Sequence, residues 1–165
     1  MRLEVQWGDP VPMKLASRQR LSDAGQLGMY LVDLDRLPGA SGVYVFARQW
    51  GSGFEALYVG KATDLRQRLK TQLNNLRLMR HVHGARTGRR VILAGTLVTK
   101  RGQQIDRCLP IVERAFIHYF LLKGDDLVNI QGTRLRQHEI ESTRRPGKVI
   151  PQVMYVDRSR QRLAR

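Results

Sequence analysis

The chain has 165 residues, 42% of them hydrophobic and 26% charged, the balance of an ordinary globular domain rather than of a disordered chain. Lys and Arg number 29 against 14 Asp and Glu, a formal net charge of +15. That makes a polyanion the leading partner class, nucleic acid before an acidic membrane surface or an acidic protein. No apolar run approaches the roughly 18 residues of a membrane span, and the first 30 residues hold no recognisable secretory leader. The single Cys108 excludes an internal disulfide framework, so a cytoplasmic protein with no membrane partner is expected.

In chain order, Leu3–Trp7 predicts a short strand, followed by a proline-containing turn and a loosely helical spacing over Leu21–Leu34. Leu37-Pro38-Gly39-Ala40-Ser41-Gly42 is turn material that delivers the chain into a β-branched and aromatic run, Val43–Ala47. The stretch Arg48–Glu55 reads as a loop of about eight residues leading to a second strand, Ala56–Gly60, so the pair predicts an antiparallel hairpin. Thr63-Asp64 is an N-cap signal, and Leu65, Leu69, Leu73 and Leu76 recur at helical spacing as the core-facing stripe of one helix, ended by Gly84 and Gly88. Val91–Val98 is the best buried-strand candidate. Leu109–Leu122 predicts a strong helix with Pro110 in its first turn and a stop near Gly124. Ile150–Val156 predicts one more strand before a basic tail. The order β-β-α-β-α predicts an α/β (α+β) domain over residues 37–130, between an N-terminal extension 1–36 and a basic C-terminal extension 131–165.

The charge is unevenly placed. Between Arg66 and Arg107 eleven Lys and Arg face Asp106 alone, and from Gln131 onward nine basic residues face Glu139, Glu141 and Asp157. Phosphate neutralisation by such side chains releases counterions, so salt-sensitive binding of nucleic acid is expected. Arg66, Lys70, Arg77, Arg80, Arg89 and Arg90 are the candidate nucleic-acid contacts in the first of these clusters.

The motifs carry a resemblance. Gly42-Val43-Tyr44 on the first strand and Tyr58-Val59-Gly60 on the second resemble the two halves of the GIY-YIG nuclease signature. The likeness continues through Lys61-Ala62, Leu65 and Arg68-Leu69 to Glu113 within Val112–Ile117 and to Asn129, and it is similar to the nuclease domain of UvrC-type excision-repair proteins. The resemblance implies a small, mainly antiparallel three-stranded sheet flanked by helices. It also implies a metal-dependent endonuclease that hydrolyses DNA phosphodiesters with one Mg²⁺ or Mn²⁺ ion. Tyr44, Tyr58, Lys61, Arg68 and Glu113 would be catalytic, Glu113 the metal ligand, Asn129 a nucleic-acid contact, and Gly42 and Gly60 structural.

Those residue types suit the chemistry. A single carboxylate such as Glu113 can hold one ion whose shell is completed by waters and substrate oxygens, as Mg²⁺ prefers. Arg68 offers a planar, permanently charged fork to two phosphate oxygens. Either Tyr44 or Tyr58 would serve as general base or water-positioning group, although an ordinary phenol with a pKa near 10 needs a neighbouring metal, Lys61 or Arg68 to favour the phenolate. Taken singly, Glu113 is equally read as a surface ion pair with Arg107 or Arg114. One helical turn after Arg68, where many members carry His or Tyr, stands Gln72, which cannot act as an acid or base; His81 and His83 replace it only if the chain folds back. Asp125 and Asp126 read as a loop or a second carboxylate source. The alternatives to a DNA endonuclease are a nuclease of RNA or branched substrates and a non-catalytic basic nucleic-acid-binding module. A protein partner through the terminal extensions is compatible with each.

Overall fold

Gly42–Trp50 (β4) is buried at six consecutive positions, Gly42 through Ala47, as a strand covered on both faces must be. The computed structural model describes residues 2–17, 20, 23, 28–128, 137–141 and 153–157. They fall into two units, Met1–Val128 and Asn129–Arg165.

The first unit is built on an antiparallel sheet of six strands. β1 (Glu4–Trp7), β2 (Val11–Leu15) and β3 (Tyr30–Val32) precede β4, and β5 (Gly53–Ala62) and β6 (Arg89–Val98) follow it. The order is β3-β2-β6-β4-β5, with β1 also on β6. β1 lies opposite Val98–Gly95 and β2 opposite Ile92–Arg90, so the two form one interrupted strand along the same edge of β6. At the interruption the Gly8 N–H donates to the Ala94 carbonyl at 3.1 Å. The expected sheet of three strands, β4 to β6, is thus doubled by the N-terminal stretch read as an extension. Val11-Pro12-Met13 is too short and too proline-marked to announce a strand, yet burial of Val11 and Met13 against β6 makes it one.

Two further expectations are corrected. Arg48–Glu55 is not a loop: β4 and β5 run on to Trp50 and Gly53, which pair directly around Gly51-Ser52, with Gly51 at φ 55°. An Arg48–Glu55 ion pair joins the two strands near this turn. The stripe Leu65–Leu76 belongs to two helices, α1 (Leu65–Leu73) and α2 (Leu76–Gly84). Asn75 caps α2, its side chain accepting from the Leu78 N–H at 3.1 Å, and Leu76 is left exposed. Asparagine's competing local hydrogen bond ends one helix and starts the next.

α1 and α2 cover one face of the sheet, where Leu65, Leu69, Leu73, Met79 and Val82 pack on Tyr44, Phe46, Leu57 and Ile92. α3 (Ile105–Lys123) covers the other, with Cys108, Leu109 and Val112 against Val43 and Leu97. It begins four residues earlier than its apolar pattern, so Pro110 lies inside the helix rather than in its first turn. It stops at Gly124, whose φ of 88° is the left-handed cap that glycine adopts without strain. Among the described residues no helix is long and apolar enough to cross a membrane. The second unit contains an antiparallel hairpin, β7 (Gln137–Glu141) with β8 (Val153–Asp157).

Candidate functional site

Tyr44 stands opposite Gly60 in the β4–β5 register, and Phe46 opposite Tyr58. The Tyr44 ring lies across Gly60: a Cβ added there would come within 2.4 Å of its Cζ and Oη. The glycine of the second motif is therefore the slot that seats the tyrosine of the first. Tyr44, Phe46 and Tyr58 form a triangle of rings with centroids 5.9 to 6.2 Å apart. Gly42 answers a different neighbour, the Gly95 carbonyl oxygen, which a Cβ would meet at 2.0 Å.

Arg68 reaches this cluster from α1, whose start is held by the Asp64 carboxylate accepting the Gln67 N–H at 3.0 Å. Its neighbours Leu65 and Leu69 are fully buried while Arg68 is exposed, with its guanidinium facing the hydroxyls of Tyr44 and Tyr58. Tyr44 is completely buried, and its hydroxyl has no hydrogen-bond partner among the described residues. Burial drives the Tyr44 phenol far above its ordinary value and Tyr58 pushes the same way, while the close approach of the Arg68 guanidinium to the hydroxyl, and then its charge, oppose them without prevailing. Arg68 therefore does not by itself give Tyr44 the phenolate that the sequence reading asked of it. The Tyr44 hydroxyl in turn raises Arg68, against the opposing cost of burial. Tyr58 is only partly buried.

Gln72, one turn beyond Arg68, is buried. With its amide oxygen turned toward the guanidinium, it accepts from Arg68 Nε at 3.2 Å and Nη2 at 2.9 Å; the opposite orientation would set donor against donor. Sequence reasoning registered only that Gln72 cannot move protons. The i, i+4 spacing from Arg68 was the available signal.

The remaining pair lies on the other face. Strand alternation puts Tyr58 and Gly60 toward α1 and turns Lys61, opposite Val43, toward α3. There the Lys61 ammonium bonds Oε2 of Glu113, which is Glu113's partner in place of the Arg107 or Arg114 contemplated above. β5 is the last strand of the sheet, so the Tyr44–Tyr58–Arg68 group and the Lys61–Glu113 pair flank one edge strand. Among the described residues no group of three or more His, Cys, Asp or Glu could hold a metal ion. Glu113 alone, a partly exposed carboxylate, fits the open mode in which one residue, waters and substrate oxygens share a Mg²⁺ or Mn²⁺.

The expected nucleic-acid contacts divide. Lys70, Arg77, Arg80 and Arg89 are exposed. Arg90 is committed to structure: Nε donates to Val82 O and Nη1 to Gly88 O, both at 2.7 Å, and Nη2 to Ala85 O at 2.6 Å, closing the end of α2. Arg66 Nε similarly donates to Leu37 O at 2.9 Å. Asn129 lies outside the described residues. His83 Nδ1 meets the Tyr30 hydroxyl at 3.2 Å, and His81 lines a separate cleft of about 470 Å³ with Glu55, Leu57 and Arg86. Asp125 is a buried anchor, accepting the Ala56 N–H at 2.8 Å beside Lys123.

No family model matches the chain, and neither a curated protein nor a solved structure matches it.

Proposed function

We propose that this protein is a GIY-YIG-type, metal-dependent endonuclease that hydrolyses phosphodiester bonds in DNA, with β4, β5 and β6 as the family's three-stranded core. The observation that carries the reading is the joint packing of the two motifs: Tyr44 occupies the slot left by Gly60, Tyr58 stands beside it, and Arg68 faces both hydroxyls. Each residue alone has an ordinary structural use. Their assembly beside one edge strand, with Lys61 and Glu113 on that strand's other face, supports the reading.

In this reading Arg68 binds the scissile phosphate through two oxygens and stabilises the charge that builds there. Tyr58, the more accessible phenol, positions the attacking water and, when present as the phenolate, accepts its proton to become the neutral phenol. Glu113 holds Mg²⁺ or Mn²⁺, which when bound supplies charge neutralisation at the phosphate and the leaving oxygen. Lys61 holds the Glu113 carboxylate in place until then.

Supercoiled plasmid incubated with Mg²⁺ or Mn²⁺ tests the proposal. Nicking or linearisation is expected, lost with EDTA and with Glu113→Ala while duplex binding persists. Metal-independent cutting, or undiminished cutting by Glu113→Ala, would overturn it. One observation favours a second reading, a non-catalytic basic nucleic-acid-binding module: Glu113 is already satisfied by Lys61. Tight salt-sensitive binding with no cleavage of DNA, RNA or branched substrates is its expected signature.

A further inference from the structure

We propose that Gln72 is a positioning residue that fixes the guanidinium of Arg68 in the plane in which it meets a phosphate, an inference resting on the nuclease reading above. Arg68 is exposed, and a free arginine side chain samples many rotamers that binding must suppress. Gln72 is 7% exposed, packed beside the fully buried Leu69 and Leu73, so its own amide has little freedom. A buried amide needs partners: with its oxygen turned toward the guanidinium, Gln72 accepts from Arg68 Nε at 3.2 Å and Nη2 at 2.9 Å, whereas the opposite orientation gives that oxygen only a long bond from Asn75 Nδ2 at 3.4 Å. Two donors converging on one fixed acceptor define the orientation of a planar group. The Nη1 side and the remaining Nη2 hydrogen stay available for the tyrosine hydroxyls and for substrate oxygens.

The acceptor's charge matters as much as its place. A carboxylate at this position would hold the guanidinium equally well but would neutralise it, weakening its attraction for phosphate. A neutral amide orients Arg68 and leaves its charge to the substrate. The side chain that cannot move a proton has a use that needs no proton movement.

Three variants and two readouts test this. Gln72→Met keeps volume and apolar packing without the acceptor, Gln72→Glu keeps the acceptor and adds charge, and Gln72→Ala removes both. The first readout is water exchange of the Arg68 Nε–H in ¹H–¹⁵N spectra, the signal assigned by its disappearance in Arg68→Lys. Slow exchange is expected in the wild type and in Gln72→Glu, and exchange as fast as that of a free surface arginine in Gln72→Met and Gln72→Ala. The second is the plasmid-nicking rate, expected to fall on the order of tenfold to a hundredfold in kcat for Gln72→Met, with KM little changed. Gln72→Glu should lose as much despite its protected Nε–H. Equal Arg68 exchange in the wild type and Gln72→Met, or an unchanged kcat in Gln72→Met, would overturn the assignment. A wild-type protein that binds but never cuts would instead defeat the nuclease reading, while Nε–H exchange still decides whether Gln72 holds Arg68.

Discussion

Two tyrosines in equivalent motifs are separated by their surroundings. Tyr44 is sealed under Gly60 with an unpartnered hydroxyl, whereas Tyr58 keeps part of its surface at the outer strand. Tyr58→Phe is therefore expected to reduce nicking more than Tyr44→Phe, by tenfold or more on the scale typical of acid–base groups; equal losses would place both hydroxyls in the same step. Tyr44 also makes a prediction about stability. Its native pKa is raised above the unfolded value near 10. The neutral phenol thus favours the native state at all pH below about 10, and that contribution fades as pH climbs beyond it. Urea titrations should show the wild type losing stability above pH 10 more steeply than Tyr44→Phe. At pH 7 the variant should stay close to the wild type in stability, because the buried hydroxyl it removes faces Arg68 without a hydrogen bond of good geometry. The spacing of these residues was legible in the chain; the difference between them was not, because burial depends on which strands flank β4.

At the scale of elements, the glycines of the two motifs do different work. At Gly42 the obstacle to a side chain is the Gly95 carbonyl on β6, backbone that moves only if the strands part; at Gly60 it is the Tyr44 ring. Gly42→Ala and Gly60→Ala should both destabilise, by about 1–3 kcal/mol as overpacking does. Only Gly60→Ala should be relieved in a Tyr44→Leu background, read from the midpoints of denaturant unfolding. Asp125 fastens the end of α3 to β5 through the Ala56 N–H. Asp125→Ala, which orphans that donor, is expected to cost about 1–3 kcal/mol, and Asp125→Asn, which keeps an acceptor, distinctly less. The hairpin was legible as two apolar runs, but its length was not. Arg48, Gln49, Glu55 and Phe54 look like loop residues until their cross-strand pairing is known. The break between α1 and α2 was written in Asn74-Asn75, though a leucine stripe running through both helices concealed it.

For the whole molecule, a charge of +15 predicts duplex affinity that falls steeply with salt, log K declining against log salt with a slope of about −0.9 per phosphate neutralised. Replacing exposed Lys70 and Arg80 should each lower that slope, whereas Arg90→Ala should lower stability first, since its guanidinium closes α2. Fluorescence anisotropy over a salt series, set beside thermal unfolding, separates the two effects. From the sequence alone come the basic character, the mixed α+β order, the hairpin, the capped helix after it and the candidates Tyr44, Tyr58, Arg68 and Glu113. All of these are local in the chain, set by composition, by period and by residues a few positions apart. Tertiary structure alone decided that the N-terminal strands join β6, that Lys61 answers Glu113, that Gln72 is buried beside Arg68 and that Tyr44 is the buried phenol. Those relations join residues brought together by strand pairing and packing, and they depend on desolvation, which is a property of the folded surroundings rather than of the residue.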